Sequence, residues 1–193
     1  MASVGRKLMG GCVSHRGWWN REVELVRSSG SPTLVELRST SRTSMFHAFG
    51  VTRNAECEER SPLGAETSGK KWYRFLLEPA HTHVVVQRVA SSGDAGGFGR
   101  WQLRILPLEE ARHLSGTVRG ESGDVVRCPE GVRAIHYSFD QRSASNEIVI
   151  IHMSPNGKKV TDLTTYGLVR GTLRIPGPGY LHIGAAGTWE LSV

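Results

Sequence analysis

Residues 99–105 read Gly-Arg-Trp-Gln-Leu-Arg-Ile, and residues 187–193 read Gly-Thr-Trp-Glu-Leu-Ser-Val. In both stretches a glycine precedes strict alternation of apolar and polar side chains, the pattern of a half-buried β-strand. The period of two places the tryptophan, the leucine and the final residue of each stretch on one face. The residues predicted to be structural core are therefore Trp101, Leu103, Ile105, Trp189, Leu191 and Val193.

Other stretches of the two halves match in the same order. Leu25-Val26-Arg27 matches Val125-Val126-Arg127, Leu34–Leu37 matches Ala134–Tyr137, Phe46–Ala55 matches Ile148–Gly157, and Arg74–Leu77 matches Thr172–Ile175. Self-similarity that keeps its order along a chain indicates an internal repeat. The sequence therefore predicts an all-β protein of two tandem antiparallel β-sandwich repeats, jelly-roll-like, each with about seven strands.

The predicted organisation has four segments. They are a disordered leader (1–15), a first repeat (16–107), a short helical linker (108–114) and a second repeat (115–193). Only Pro107–Leu114 has a helical pattern, because proline opens it and acidic residues fill its first turn. Trp18 and Trp19 are either an exposed anchor for a partner or part of the first strand, and the strand is the favoured interpretation. The acidic residues of 56–59 are interpreted as a solvated loop.

The composition is that of an ordinary globular protein. The chain has 193 residues, 38% hydrophobic and 22% charged, and no apolar run is long enough for a membrane-spanning helix. The net charge is +6, but the arginines are scattered singly, which disfavours a nucleic-acid partner. Three cysteines without C-x-x-C spacing favour a reduced compartment, so the predicted location is cytoplasmic.

No arrangement of residues typical of catalysis is found. A Gly-x-Ser-x-Gly nucleophile elbow is absent, and the glycine-rich stretch 93–99 leads into a strand rather than into a helix that could cradle phosphate. His81 and His83 have the spacing to share a strand face, but no third ligand is evident beyond the distant His47 or His136. The prediction is a protein without catalytic residues, metal or cofactor.

The predicted function is therefore a non-enzymatic interaction or assembly module. Its partner would be another protein, or a second copy bound through an edge strand. The alternative is a glycan- or small-ligand-binding module that uses exposed aromatic residues, with nucleic-acid binding less favoured. The candidate ligand-binding residues are Trp72, Lys70, Lys71 and Tyr180. Exposure discriminates between these hypotheses, because a binding platform must be accessible to solvent.

The run Ile175-Pro-Gly-Pro-Gly-Tyr-Leu-His-Ile-Gly-Ala-Ala-Gly-Thr-Trp-Glu-Leu-Ser-Val193 resembles the end of small β-sandwich modules in uncharacterised actinobacterial proteins. It is also similar to bacterial pre-peptidase C-terminal domains, in which a glycine turn leads to a last strand of aromatic-x-Leu-x-Val form. The duplicated arrangement would cover nearly the whole chain. The resemblance implies a jelly-roll-like sandwich with an accessory role and no catalytic residues. The acidic calcium ligands of many such modules have no matching cluster in this sequence.

Overall fold

The computed structural model describes residues 12–25, 30–41, 44–54, 56–67, 71–89, 99–140, 147–166, 170–185 and 187–193. Within these ranges the chain is almost entirely β-strand, with one 3₁₀ turn at Leu108–Glu110. The strands form four sheets in which nearly all pairings are antiparallel. The predicted all-β sandwich fold class is confirmed. No helix among the described residues has the length and apolarity needed to cross a bilayer.

The first half contains eight strands in two antiparallel sheets. They are β1 (Val13–Gly17), β2 (Arg21–Glu24), β3 (Thr33–Ser39), β4 (Met45–Arg53), β5 (Glu58–Thr67), β6 (Tyr73–Leu77), β7 (His83–Val89) and β8 (Trp101–Leu106). One sheet has the order β1-β8-β3-β6 and the other the order β2-β7-β4-β5. This is the strand order of a jelly roll, in which two four-stranded sheets enclose one core.

The second half has the same arrangement with one added strand. Its strands are β9 (Arg112–His113), β10 (Thr117–Gly120), β11 (Asp124–Cys128), β12 (Ala134–Asp140), β13 (Glu147–Met153), β14 (Lys159–Tyr166), β15 (Arg170–Arg174), β16 (Gly179–Ala185) and β17 (Thr188–Ser192). The sheet orders are β10-β17-β12-β15 and β14-β13-β16-β11-β9, and β9 pairs in parallel with β11. Without β9, each strand has a counterpart at the same place in the first half.

The register of the strand pairs identifies corresponding positions. The core positions that correspond are Val35 and Ile135, Phe46 and Ile148, Phe75 and Leu173, and Trp101 and Trp189. These agree with the sequence comparison. In β2 and β11, however, the register makes Val23 the counterpart of Val126, because both side chains enter a sandwich core. The sequence comparison had aligned Val126 with Val26, which lies outside the described residues.

Each half encloses its own core, and a third apolar cluster joins the halves. The first core draws on both sheets through residues such as Val35 and Val84, and the second does so through Ile135 and Leu181. The third, which we call the interdomain cluster, consists of Leu34, Leu76, Leu106, Ala111, Val125, Met153 and Tyr180. The first three come from the outer face of sheet β1-β8-β3-β6, so that face packs against the second half.

Trp101 fills the first core and is fully buried. It lies opposite Gly17 on β1, where an added Cβ would come within 2.3 Å of the indole ring. Its Nε1–H donates a hydrogen bond to the backbone carbonyl of Trp19, 2.9 Å away. The absence of a side chain at Gly17 therefore makes room for the large ring.

The second half repeats this contact. Trp189 lies opposite Gly120, where a Cβ would come within 2.2 Å of the ring, and its Nε1–H donates to the carbonyl of Ser122 at 2.7 Å. Leu191 is fully buried in the same core. Val193 is different: its side chain was predicted to be core, but the residue is 53% exposed. It follows the end of β17, where no paired strand covers it.

Two predictions near the start of the chain differ from the structure. Strand β1 begins at Val13, inside the predicted leader 1–15, and Val13 packs against the first core. Trp18 and Trp19 lie in the bend after β1 rather than in a strand, and both are exposed. The sequence signal for β1 is weak because only Val13 of the three residues on its inward face has an apolar side chain. The other two are His15 and Gly17.

Two further predictions fail for local reasons. The predicted helix 107–114 is a single 3₁₀ turn, because Ala111 has extended backbone and Arg112–His113 pairs as β9. So short a segment forms few helical hydrogen bonds. Glu58 and Glu59, predicted to lie in a loop, belong to β5. Glu58 is held there by Arg53 at 2.6 Å and Arg60 at 2.9 Å.

Candidate functional site

On the outer face of sheet β1-β8-β3-β6, residues that are neighbours across the strands form rows. The side-chain chemistry changes from one row to the next along the strands. The first row places Leu106, Leu34 and Leu76 side by side on β8, β3 and β6. All three are buried in the interdomain cluster. This end of the face is therefore occupied by the second half and is closed to a ligand.

The second row is an ion-pair row in which Arg104 and Arg74 flank Glu36. Arg74 donates Nε–H and lies with Nη2 against the same Glu36 oxygen, both at 2.8 Å. Arg104 Nη1 lies 3.8 Å from the other carboxylate oxygen. The Glu36 side chain is only 7% exposed, so the two cations compensate a carboxylate that is largely removed from water.

The third row is basic and aromatic. Arg16, Gln102 and Arg38 are neighbours on β1, β8 and β3, and Trp72 stands beside Arg38 just before β6. Arg38 donates from Nε and Nη2 to the Gln102 side-chain oxygen, at 2.8 and 2.5 Å. Its guanidinium carbon is 4.4 Å from the Trp72 ring centroid. This row lies beyond the apolar contact with the second half.

Trp72 is engaged by two guanidinium groups. Arg104 from the second row lies 4.3 Å from the same ring centroid, close to the distance for Arg38. Such contacts are favourable cation–π interactions. They hold the arginines in place while leaving part of each planar guanidinium free to donate hydrogen bonds. The arrangement therefore presents preorganised cations rather than a bare aromatic platform.

The basic row continues at the next position. Arg100 precedes β8, and its guanidinium carbon is 3.5 Å from the ring centroid of Trp18, the residue after β1. Trp18 is 45% exposed. We call the surface formed by Arg16, Trp18, Arg38, Trp72, Arg100, Gln102 and Arg104 the arginine–tryptophan face. Among its described residues there is no carboxylate, and Glu36 in the row behind lies between Arg74 at 2.8 Å and Arg104 at 3.8 Å.

A charged seam continues from Arg74 into the second half. Arg74 Nε lies 3.9 Å from Asp124 of β11, and Arg112 Nη1 lies 3.2 Å from the other Asp124 oxygen. Burial raises the pKa of Asp124 above its ordinary value, and the Val125 N–H and both arginines act against that rise. The seam fixes the position of Arg74, and hence of Glu36, relative to the second half.

The predicted ligand-binding residues lie in different surroundings. Trp72 is half-buried on the arginine–tryptophan face. Lys71 is exposed and contacts Glu121 of the second half at 2.5 Å, while Lys70 lies outside the described residues. Tyr180 is buried in the interdomain cluster. The prediction of an exposed platform at Tyr180 is therefore wrong, because the first half covers the outer face of β16.

Sequence reasoning missed Arg38 and Arg104 as functional candidates. Both occupy the outward positions of strands whose inward positions were correctly predicted as core, such as Leu103. A signal existed in the alternation, since the period of two places these arginines outward together. Their meeting at Trp72 depended on the strand order, which the pattern did not supply.

The histidines do not form a metal site in the described part of the chain. No group of three or more His, Cys, Asp or Glu side chains with suitable spacing is found there. The rings of His81 and His83 face different partners. An added Cβ on Gly50 would touch the His81 ring, whereas His83 Nε2 lies 3.6 Å from Glu22.

His182 is a buried histidine on the face of β16 that the first half covers. Its ring meets the Tyr73 ring edge-on, with centroids 6.4 Å apart. Its Nε2 is buried without a hydrogen-bond partner among the described residues. Burial lowers the pKa of His182 to about 4, so the imidazole is neutral near neutral pH. This residue belongs to the packing between the halves and is not accessible to a ligand.

Comparison with known proteins adds no family. No protein-family model and no curated protein matches the chain. Among solved structures, the crystal structure of PBSX exported protein XepA matches with 9% identity and a TM-score of 0.29, covering 92% of this chain and 79% of that one. A calcium-binding mutant of Bacteroides uniformis β-glucuronidase 2 matches with 11% identity and a TM-score of 0.28, covering 91% and 22%. Likenesses this weak carry no argument about function, and the resemblance to pre-peptidase C-terminal domains stays a prediction.

Proposed function

We propose that this protein is a non-enzymatic interaction module that binds an acidic segment of a partner protein through the arginine–tryptophan face. The observation that carries the proposal is the pair of guanidinium groups, Arg38 and Arg104, held 4.4 and 4.3 Å from the Trp72 ring. Arginines fixed in this way lose little further freedom when they bind a carboxylate.

Charge favours an anionic partner. Arg16 and Arg100 are exposed on this face and Arg38 and Arg104 are half-buried, while the neighbouring Glu36 is buried with its carboxylate 2.8 Å from Arg74 and 3.8 Å from Arg104. Planar guanidinium groups match the two oxygens of a carboxylate, and charge-assisted hydrogen bonds of this kind are stronger than neutral ones. A glutamate- or aspartate-rich segment lying across the sheet would satisfy several of them together.

The aromatic rings favour this partner over a glycan or a nucleic acid. Binding of sugars and of single-stranded nucleic acid uses ring faces on which the sugar or base can stack. Trp72 is engaged by two arginines and Trp18 by Arg100. A stacking ligand would have to compete with these contacts, whereas a carboxylate would add to them.

Fluorescence anisotropy with a labelled oligoglutamate peptide tests the proposal. The double variant Arg38→Gln, Arg104→Gln is expected to weaken binding at least about tenfold, since charged hydrogen bonds contribute about 1.5–3 kcal/mol each. Arg133→Gln, at an exposed site before β12, is the matched control and should bind like the wild type. Binding should also weaken with added salt.

Two results would contradict the proposal. One is equal binding of the peptide by the double variant and by the wild type, or no binding by either. The other is tighter binding of a labelled single-stranded oligonucleotide of the same length, lost in the double variant, which would assign the face to nucleic acid instead.

A further inference from the structure

The contact between the two halves has a counterpart surface in the first half, on which Trp19 is exposed. The outer face of sheet β1-β8-β3-β6 packs on the outer face of the second half around β11 and β16. Because the halves have the same strand order, the first half has a matching outer face around β2 and β7. The second half likewise has a counterpart of the first half's packing face, on the outer side of sheet β10-β17-β12-β15. We call the outer faces of β1-β8-β3-β6 and β10-β17-β12-β15 the covering faces, and the outer faces around β2 and β7 and around β11 and β16 the accepting faces.

Two positions of the accepting face can be compared directly. Ser122 follows Gly120 by two residues, as Trp19 follows Gly17, and both carbonyls accept the hydrogen bond of a buried tryptophan. Trp19 is therefore the counterpart of Ser122. Register also makes Glu22 the counterpart of Val125, because each precedes a core valine of β2 or β11.

Two positions of the covering face follow from β6 and β15. Phe75 corresponds to Leu173 in the register of the two sheets. Trp72 therefore corresponds to Arg170, and Leu76 corresponds to Arg174. Both arginines are exposed on an edge strand.

The existing contacts show which counterparts would meet. Within the chain, Ser122 Oγ donates a hydrogen bond to the carbonyl of Trp72 at 2.9 Å. In a contact between two copies, the corresponding positions are Trp19 of one copy and Arg170 of the other. Leu76 and Val125 share the interdomain cluster, so the residues that replace them are Arg174 and Glu22. The first replacement is a cation–π pair. The second is an ion pair in which Arg174 would join Arg53, whose Nη2 lies 3.0 Å from Glu22.

We propose that a second copy of this chain docks head to tail, placing the outer face of its β15 against the Trp19–Glu22 surface of the first half. The contact between copies would repeat the geometry of the contact between the halves. Trp19 is 64% exposed, and a large exposed tryptophan at such a position is typical of residues that dominate interface energetics. Because the two faces differ, the contact is heterologous and gives a ring or an open chain rather than a two-fold dimer.

The inference is independent of the proposed binding function, since it uses Trp19, Glu22, Arg170 and Arg174 rather than the arginine–tryptophan face. Arg38→Gln with Arg104→Gln should leave association unchanged, and the docking variants should retain peptide binding. Failure of one proposal is thereby distinguished from failure of the other.

Sedimentation velocity of the full chain over a concentration series tests the docking. The wild type should associate increasingly with concentration, and Trp19→Ala should weaken association about tenfold or more. Glu22→Arg alone and Arg174→Glu alone should also weaken it, because each variant brings like charges together. Lys158→Glu, on the turn between β13 and β14, makes the same charge change elsewhere and should associate like the wild type.

Mixing the two charge variants gives the decisive result. In an equimolar mixture, Glu22 of one variant faces Arg174 of the other, and the substituted Arg and Glu face each other at the next contact. Association should therefore return in the mixture although each variant alone associates more weakly than the wild type. A wild type that stays monomeric at every concentration, or a mixture that stays monomeric, would overturn the proposal, and circular dichroism would show that each variant is folded.

Discussion

The outer faces of sheets β1-β8-β3-β6 and β10-β17-β12-β15 occupy the same place in the two halves but carry different side chains. In the first half, Leu34 and Leu76 pack against the second half, and their counterparts are Ala134 and Arg174. Several inward positions of the same strands are apolar in both halves, as at Val35 and Ile135, although the buried Ser39 corresponds to Phe139. The shared apolar positions thus keep their chemistry where the outward positions beside them have diverged.

This difference teaches where function can reside. An inward side chain must fill a sandwich core, so its chemistry is constrained by packing. An outward side chain is free to make an interface, an ion pair or a binding surface. The apolar row, the ion-pair row and the arginine–tryptophan face all lie on outward positions of one sheet.

The largest expected effect on stability comes from truncating Trp101 and Trp189, which occupy corresponding positions in the two halves. Trp101→Ala and Trp189→Ala should each lower the free energy of unfolding by about 3–5 kcal/mol, because each removes a buried indole and its hydrogen bond. Deleting residues 189–193 should unfold the second half altogether. Thermal unfolding followed by circular dichroism measures these effects. A melting temperature within a degree or two of wild type after the deletion would contradict the place of β17 in the sheet.

The next largest effect is the pH dependence of the free energy of unfolding that His182 causes. Its counterpart on β7, Val85, has no titratable side chain. The folded-state pKa of His182, about 4, lies below the ordinary value of 6.5, so the unfolded chain binds more protons between these values. Stability should fall as pH drops from about 6.5 to about 4, by roughly 3 kcal/mol in total.

His182→Val, which installs the first half's residue, should remove most of this pH dependence. Urea unfolding at several pH values measures it. His152 leaves a residual slope, because burial also lowers its pKa. An unchanged slope in His182→Val would show that His182 is not buried as a neutral base between the halves.

A smaller effect is expected at the ion-pair row. Glu36→Gln removes the charge that holds Arg74 at 2.8 Å and should cost about 1–3 kcal/mol. Its counterpart, His136, is exposed, and its Nδ1 lies 3.0 Å from the Thr172 hydroxyl oxygen, so His136→Ala should stay within about 0.5 kcal/mol. Chemical denaturation of both variants measures the difference, and equal losses would contradict the contrast between the two faces.

Much of the fold could be predicted from alternation alone. Trp101, Leu103, Trp189 and Leu191 have strict period-two spacing, and the structure buries all of them. Strands β1 and β9 could not be predicted correctly, since both depend on pairing partners rather than on local pattern. Strand β9 lies within the predicted helix 107–114. The sequence match paired Val125 with Leu25 because both are apolar. Val125 is apolar for a different reason, namely its contact with the first half.

The candidate site was predictable only in part. Trp72 was singled out from its neighbours in sequence, but its contacts are Arg38 and Arg104, which lie on two other strands. Tyr180 was singled out as well, and the structure buries it between the halves.

The sequence by itself determined which side chains face inward, because the period of two follows from the pleat of a strand and needs no partner. The tertiary structure decided the strand order, the packing of one half on the other and the meeting of three distant strands at Trp72. Those features depend on contacts between residues far apart in the chain, whose free energy is gained only when two sheets and two halves come together. The outward arginines therefore acquire a shared role that no local pattern encodes.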